Sequence, residues 1–189
     1  MVVMLLTPDQ VKWLKDMKIT NPSVDDEGFV NVDGNVRISA KGITSIPVKF
    51  GYVGGDFYCH NNDLSSLQGA PREVGGNFDC RSNNLSSLQG APKEVGGDFN
   101  CSFNNLSSLQ GGPKEVGGDF NCIHNTLTSL QGSPREVGGD FYCWNNTLTS
   151  LQGAPREVGG NFECNNNFNF KTEPDHSFIN IGGEFVWKY

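Results

Sequence analysis

The amino-acid sequence predicts a mainly β solenoid. It has parallel strands on a concave face, an extended convex side, a short N-terminal helical cap and a C-terminal cap strand. Three observations carry this prediction. Val-Gly-Gly recurs at Val53, Val74, Val95, Val116, Val137 and Val158, 21 residues apart each time, and a fixed period of this size marks stacked repeats. Inside each repeat a Phe and a Cys alternate with other residues, as Phe57 and Cys59 do with Asp56, Tyr58 and His60. That is the period of a short strand. Finally, 36% of the 189 residues are apolar and 24 are glycine, roughly twice the usual glycine share. Such a chain is poorly suited to one compact leucine-rich core.

The elements follow in chain order. Met1–Leu6 has no basic flank and is shorter than the roughly 7–15 apolar residues of a signal-peptide core. No apolar run reaches the ~20 residues of a membrane span, so a cytoplasmic protein is expected. Thr7-Pro8-Asp9-Gln10 reads as a capping box with Pro at the first helical position. Val11, Leu14 and Met17 then recur on one face, with Trp13 beside them. The prediction is a helix plugging the open end of the stack within a cap spanning 1–31; docking a partner is its functional alternative. Residues 32–52 are a degenerate first repeat, with Val36 and Ile38 as its inward pair and Ile43 and Ile46 in the two leucine slots. Five full repeats span 53–157 and a partial one 158–170, completing a solenoid over 32–170. In the C-terminal cap, 171–189, Ile181-Gly182-Gly183-Glu184-Phe185-Val186-Trp187 repeats the strand motif with Trp in the Cys slot. Its open edge would allow strand pairing, so a monomer or an edge-mediated homodimer is expected.

Each slot has an expected role. Coils bury their apolar faces by stacking, so Phe57, Phe78, Phe99, Phe120, Phe141 and Phe162 should form an aromatic spine. The double glycine is expected to allow a tight turn with positive φ. Pro71 and its equivalents suit an extended convex side and discourage helix. The Asn row, from Asn62 to Asn167, is read as an inward ladder that satisfies backbone groups.

The motif F-x-C-x-x-N-x-L-x-S-L resembles the leucine-rich-repeat core, with Phe and Cys in the first two leucine slots. The whole layout, including Pro-Arg-Glu-Val-Gly-Gly, resembles uncharacterised leucine-rich-repeat proteins of tailed bacteriophages. The resemblance implies a viral protein acting in the bacterial host cytoplasm. Because leucine-rich repeats are mostly protein-binding scaffolds, it also implies a protein partner.

Little catalytic chemistry is legible. The six cysteines, Cys59 to Cys164, occupy core slots without zinc-ligand spacing, and are read as reduced core thiols. The histidines lie too far apart to share a metal. Asp98, Asp119 and Asp140, extended by Asp56, could seat a cation. However, Asn77 and Asn161 hold the same slot, which favours hydrogen bonding at the strand start. The Arg72 row and the adjacent Glu73 row should compensate each other on a solvated face. With 14 Lys and Arg against 21 Asp and Glu, net charge is −7. No basic stripe suits nucleic acid phosphates, and an acidic mimic of nucleic acid ranks low. No catalytic, cofactor or metal site is predicted, nor any membrane or nucleic acid partner.

Binding should lie where repeats differ. Tyr58, His60, Arg81, Phe103, Ile123, His124, Tyr142 and Trp144 are the predicted protein-binding residues. The aromatic members on consecutive coils would form one patch rimmed by Asp79, Arg81 and Glu163. The bland alternative is that these side chains only shield strand backbone. The leading expectation is a non-enzymatic scaffold that binds and inhibits or redirects a bacterial host protein. A structural virion or assembly component is the alternative. An enzyme ranks behind both, because residues 1–31 and 171–189 are too short to form a catalytic domain.

Overall fold

A computed structural model describes residues 6–167, 169–170 and 172–188. The reading of Met1–Leu5 therefore lies outside the described residues. Helix α1 spans Pro8–Asp16, and its capping box forms as predicted. The Gln10 N–H donates to Thr7 Oγ1 (3.3 Å) and the Thr7 N–H to Gln10 Oε1 (2.9 Å). Leu14 is buried in the solenoid core, and Leu6, Trp13, Met17 and Ile19 pack against it. Val11 faces solvent, so the apolar stripe is narrower than expected. Gln10 Nε2 donates to the Pro47 carbonyl (2.8 Å), tying the helix to the first coil. The cap also holds an antiparallel pair that the sequence did not reveal: Ser23–Val24 against Val30–Val32.

Each coil contributes two short strands. One is the predicted Phe strand, such as Phe57–Tyr58, and the other is a Glu-Val strand, such as Glu73–Val74. They stack into an eight-stranded and a nine-stranded sheet, parallel throughout except for the Ser23–Val24 edge. Phe pairs with Phe and Glu with Glu from coil to coil, so one register serves the full repeats; it shifts where Val30–Val32 meets Phe50–Val53. The degenerate repeat joins it through Val36 opposite Phe57, and the cap strand through Phe185 opposite Phe162. Trp187 packs partly buried against the core. Among the described residues, α1 is the one helix, and no helix is long and apolar enough to cross a membrane.

The core follows from this register. The Phe rings from Phe57 to Phe185 stack face to face at 4.9–5.6 Å. All six cysteines are free and buried beside them. Burial pushes their thiols up, Cys164 to about 12, so they sit in the core as neutral small hydrophobes. The Asn ladder is also as predicted. Asn104 Nδ2 donates to the carbonyls of Cys80 (3.2 Å), Cys101 (3.1 Å) and Ser102 (3.2 Å), and its Oδ1 accepts from the Leu85 N–H (3.0 Å).

The double glycine has a different purpose from the one predicted. Positive φ belongs to the glycine of Leu-Gln-Gly, for example Gly69 at +94°. There the Ala70 N–H donates to the Leu67 carbonyl (2.9 Å) across a type II turn. Val-Gly-Gly instead permits close approach between coils. A Cβ on Gly96 would strike the Gly75 carbonyl, and one on Gly97 would strike Asn77 Oδ1.

Candidate protein interface

The Phe strands present a face on which only some slots vary freely. At the strand start the Asx row forms an unbroken ladder. Asp98 donates its N–H to Asn77 Oδ1 (2.7 Å), and Asp98 Oδ1 accepts from the Asp119 N–H (2.9 Å). Asp119 and Asp140 continue it in the same way. Asp and Asn are equivalent here because the bond needs only Oδ1. This agrees with the strand-start reading of the row.

Outward slots two residues further on divide into structural and free positions. Asp79 is only 7% exposed, so the predicted rim residue is part of the scaffold. Its Oδ1 accepts the Arg81 N–H (3.0 Å), and its Oδ2 pairs with the Arg81 guanidinium (2.7 Å). Burial raises the Asp79 carboxyl against the opposing pull of Arg81. Asn100 and Asn121 make the same backbone bond. Arg81 is thus committed to an internal ion pair. Tyr58 donates its hydroxyl to Asp56 Oδ2 (3.0 Å), with the Arg37 guanidinium 4.5 Å above its ring. His60 lies edge-on to Tyr58 at 6.2 Å. Tyr142 donates its hydroxyl to Asp140 Oδ2 (2.6 Å). That bond, burial and neighbouring carboxylates push its phenol pKa up. Ile123 is a correction: it is 8% exposed and offers a partner almost nothing. Ser102, in the same slot one coil earlier, is buried as well.

That corner was not legible as a special slot. Ala40, Asn61, Ser82, Phe103, His124, Asn145 and Asn166 all have left-handed backbone, with φ between +50° and +54°. Asn tolerates this conformation, whereas larger side chains rarely adopt it. Phe103 and His124 nevertheless occupy it on consecutive coils at φ +53° and +50°. Their rings stack at 4.3 Å, and Trp144 meets His124 edge-on at 5.2 Å. Asn145 Nδ2 lies 3.0 Å from His124 Nε2 and steadies the ring. Phe103 is 49% exposed. The structure thus gathers Phe103, His124 and Trp144 into one aromatic ledge, with Tyr142 two residues before Trp144 at the end of the Phe141–Tyr142 strand. Tyr58, His60 and Arg81 lie toward the N-terminal coils, apart from the ledge. The Asn-rich corner slot was the sequence signal that could have identified the left-handed position.

Among the described residues, no group of three or more His, Cys, Asp or Glu is placed to hold a metal. No protein family, curated protein or solved structure matches the chain. Period, register and paired parallel sheets define its class. The chain is a solenoid repeat protein.

Proposed function

We propose that this chain is a non-enzymatic protein-binding scaffold that engages its partner through the Phe103, His124 and Trp144 ledge. One observation carries the reading. Two aromatic rings occupy left-handed backbone positions that Asn and Ser fill on neighbouring coils. Strain of this kind costs of order 1–3 kcal/mol per residue and concentrates at functional sites. The fold has no use for a half-exposed Phe there, and exposed aromatics are common interface anchors. Resemblance to phage leucine-rich-repeat proteins supports the finer reading: a viral protein in the bacterial cytoplasm that occupies a host protein's surface and inhibits or redirects it.

The test is an affinity capture from bacterial lysate, comparing the intact chain with a Phe103→Ser, Trp144→Ala variant. Ser already stands at the equivalent position 82, so the variant should fold. A host protein enriched by the intact chain and lost with the variant supports the reading. Equal enrichment by both refutes the ledge as the site.

A further inference from the structure

The Glu-Val sheet carries two charge rows of opposite sign. Glu73, Glu94, Glu115, Glu136 and Glu157 lie Cα to Cα in register, setting one carboxylate at every rung. Immediately before them stand Arg72, Lys93, Lys114, Arg135 and Arg156. Each of these after the first donates its N–H to the carbonyl of the one below, at 2.8–2.9 Å. Both rows therefore share one rung spacing, ~4.8 Å for parallel strands. A groove of about 620 Å³, lined by the Glu row, Val74 and Gly75 and their equivalents, runs along the acidic row.

Few close ion pairs join the two rows. Among the described residues, Arg135–Glu136 (3.3 Å) is the one ion pair joining them, and Arg72 turns to Glu27 (3.7 Å) instead. Lys93 and Lys114 make no ion pair with Glu94 or Glu115. The face is thus left with two ordered, largely unpaired rows side by side.

Two such rows are complementary to themselves. A two-fold axis along the solenoid, midway between them, brings each acidic row opposite the basic row of a second copy. Coil then faces equivalent coil, as an isologous contact requires. A two-fold axis across the solenoid would instead set like charges together. Pitch narrows the choice of occupant further. An extended peptide places same-side residues about 6.6 Å apart, out of step with the rungs. A second copy has the same pitch by construction. We propose that this face is a docking surface for a second copy of the chain, parallel and in coil-to-coil register. The proposal uses a different sheet from the aromatic ledge and does not rest on that reading.

Sedimentation equilibrium tests it. The full chain is compared at roughly 0.01 M and roughly 1 M salt, where screening lengths are about 30 Å and about 3 Å. The net charge of −7 pushes copies apart at low salt, so association that strengthens as salt falls isolates the row pairing. The expected mass rises from 20.6 kDa toward twice that value at low salt and returns at high salt. Glu94→Lys with Glu115→Lys should leave a monomer at both salts. Adding Lys93→Glu and Lys114→Glu swaps the rows without changing net charge, and should restore the dimer, because coil faces equivalent coil. A wild-type monomer at low salt overturns the proposal, as does salt-resistant association. Association that survives the double Glu→Lys change moves the contact elsewhere, to the C-terminal strand edge for example, and overturns it too. A fourfold variant that stays monomeric overturns the parallel register.

Discussion

Removing one amide from the Asn ladder should destabilise the protein far more than its single polar side chain implies. In Asn104→Ala the Leu85 N–H loses its acceptor. A buried orphan of this kind costs about 1–3 kcal/mol. The carbonyls of Cys80 and Cys101 each retain one donor, from Asn83 and Asn125, so their loss is the smaller net value of about 1 kcal/mol in total. The vacated space adds a cavity term, bringing the sum to about 3–5 kcal/mol. Domains are stable by only about 5–15 kcal/mol. Urea unfolding followed by Trp fluorescence measures the change. Asn104→Asp sharpens the test. Its Oδ1 can still serve the Leu85 N–H, but a carboxylate then faces three carbonyl oxygens. Its folded-state pKa should lie above the unfolded value of about 3.9. The variant should therefore be most stable below that value and lose stability as pH rises through the folded pKa. A cost below about 1 kcal/mol for Asn104→Ala, or an Asp variant that weakens on acidification, refutes the ladder argument.

Two further outcomes follow from local geometry. Gly97→Ala drives a Cβ onto Asn77 Oδ1 and within 3.0 Å of the Gly76 carbonyl carbon, and should cost about 1–3 kcal/mol. Gly34→Ala meets nothing within 4 Å, so its thermal midpoint should hold or rise; equal losses for the two would remove close coil approach as the reason for the double glycine. Asp79→Asn keeps the bond to the Arg81 N–H, as Asn100 and Asn121 show, and removes a buried carboxyl whose pKa is raised. Wild-type stability should fall as pH rises from about 3.9 through that raised value, because the folded state holds the proton longer. The Asn variant should lack that fall and be the more stable protein at neutral pH, as denaturation across pH would show.

Much of the architecture was legible because a repeat reports its own alignment. Lining up Val53 with Val74 and Val95 places every Phe, Cys and Asn without further inference. Even the degenerate ends at Val36 and Phe185 fall into register. The Thr7 cap was legible because its donors and acceptors lie three residues apart. The candidate site was only partly so. Sequence order put Ile123 and Phe103 together as outward residues, yet one is buried and the other half exposed. They occupy neighbouring slots, and the left-handed backbone of the Phe103 slot is something no alternation of side chains encodes. Arg81 and Tyr142 looked available, yet each is held by a carboxylate two residues away, Asp79 and Asp140, a pairing that spacing alone does not reveal.

The period, the stacking of equivalent slots and the identity of the core are written in the chain's repeats, because a 21-residue unit that cannot bury its own apolar face must bury it against its neighbours. Tertiary structure alone decided three things: which glycine turns left-handed, which charges stay unpaired, and that Phe103, His124 and Trp144 meet. Those outcomes depend on distances between coils and on torsions at the corners. Residues 21 apart in the chain become neighbours only once the stack has formed.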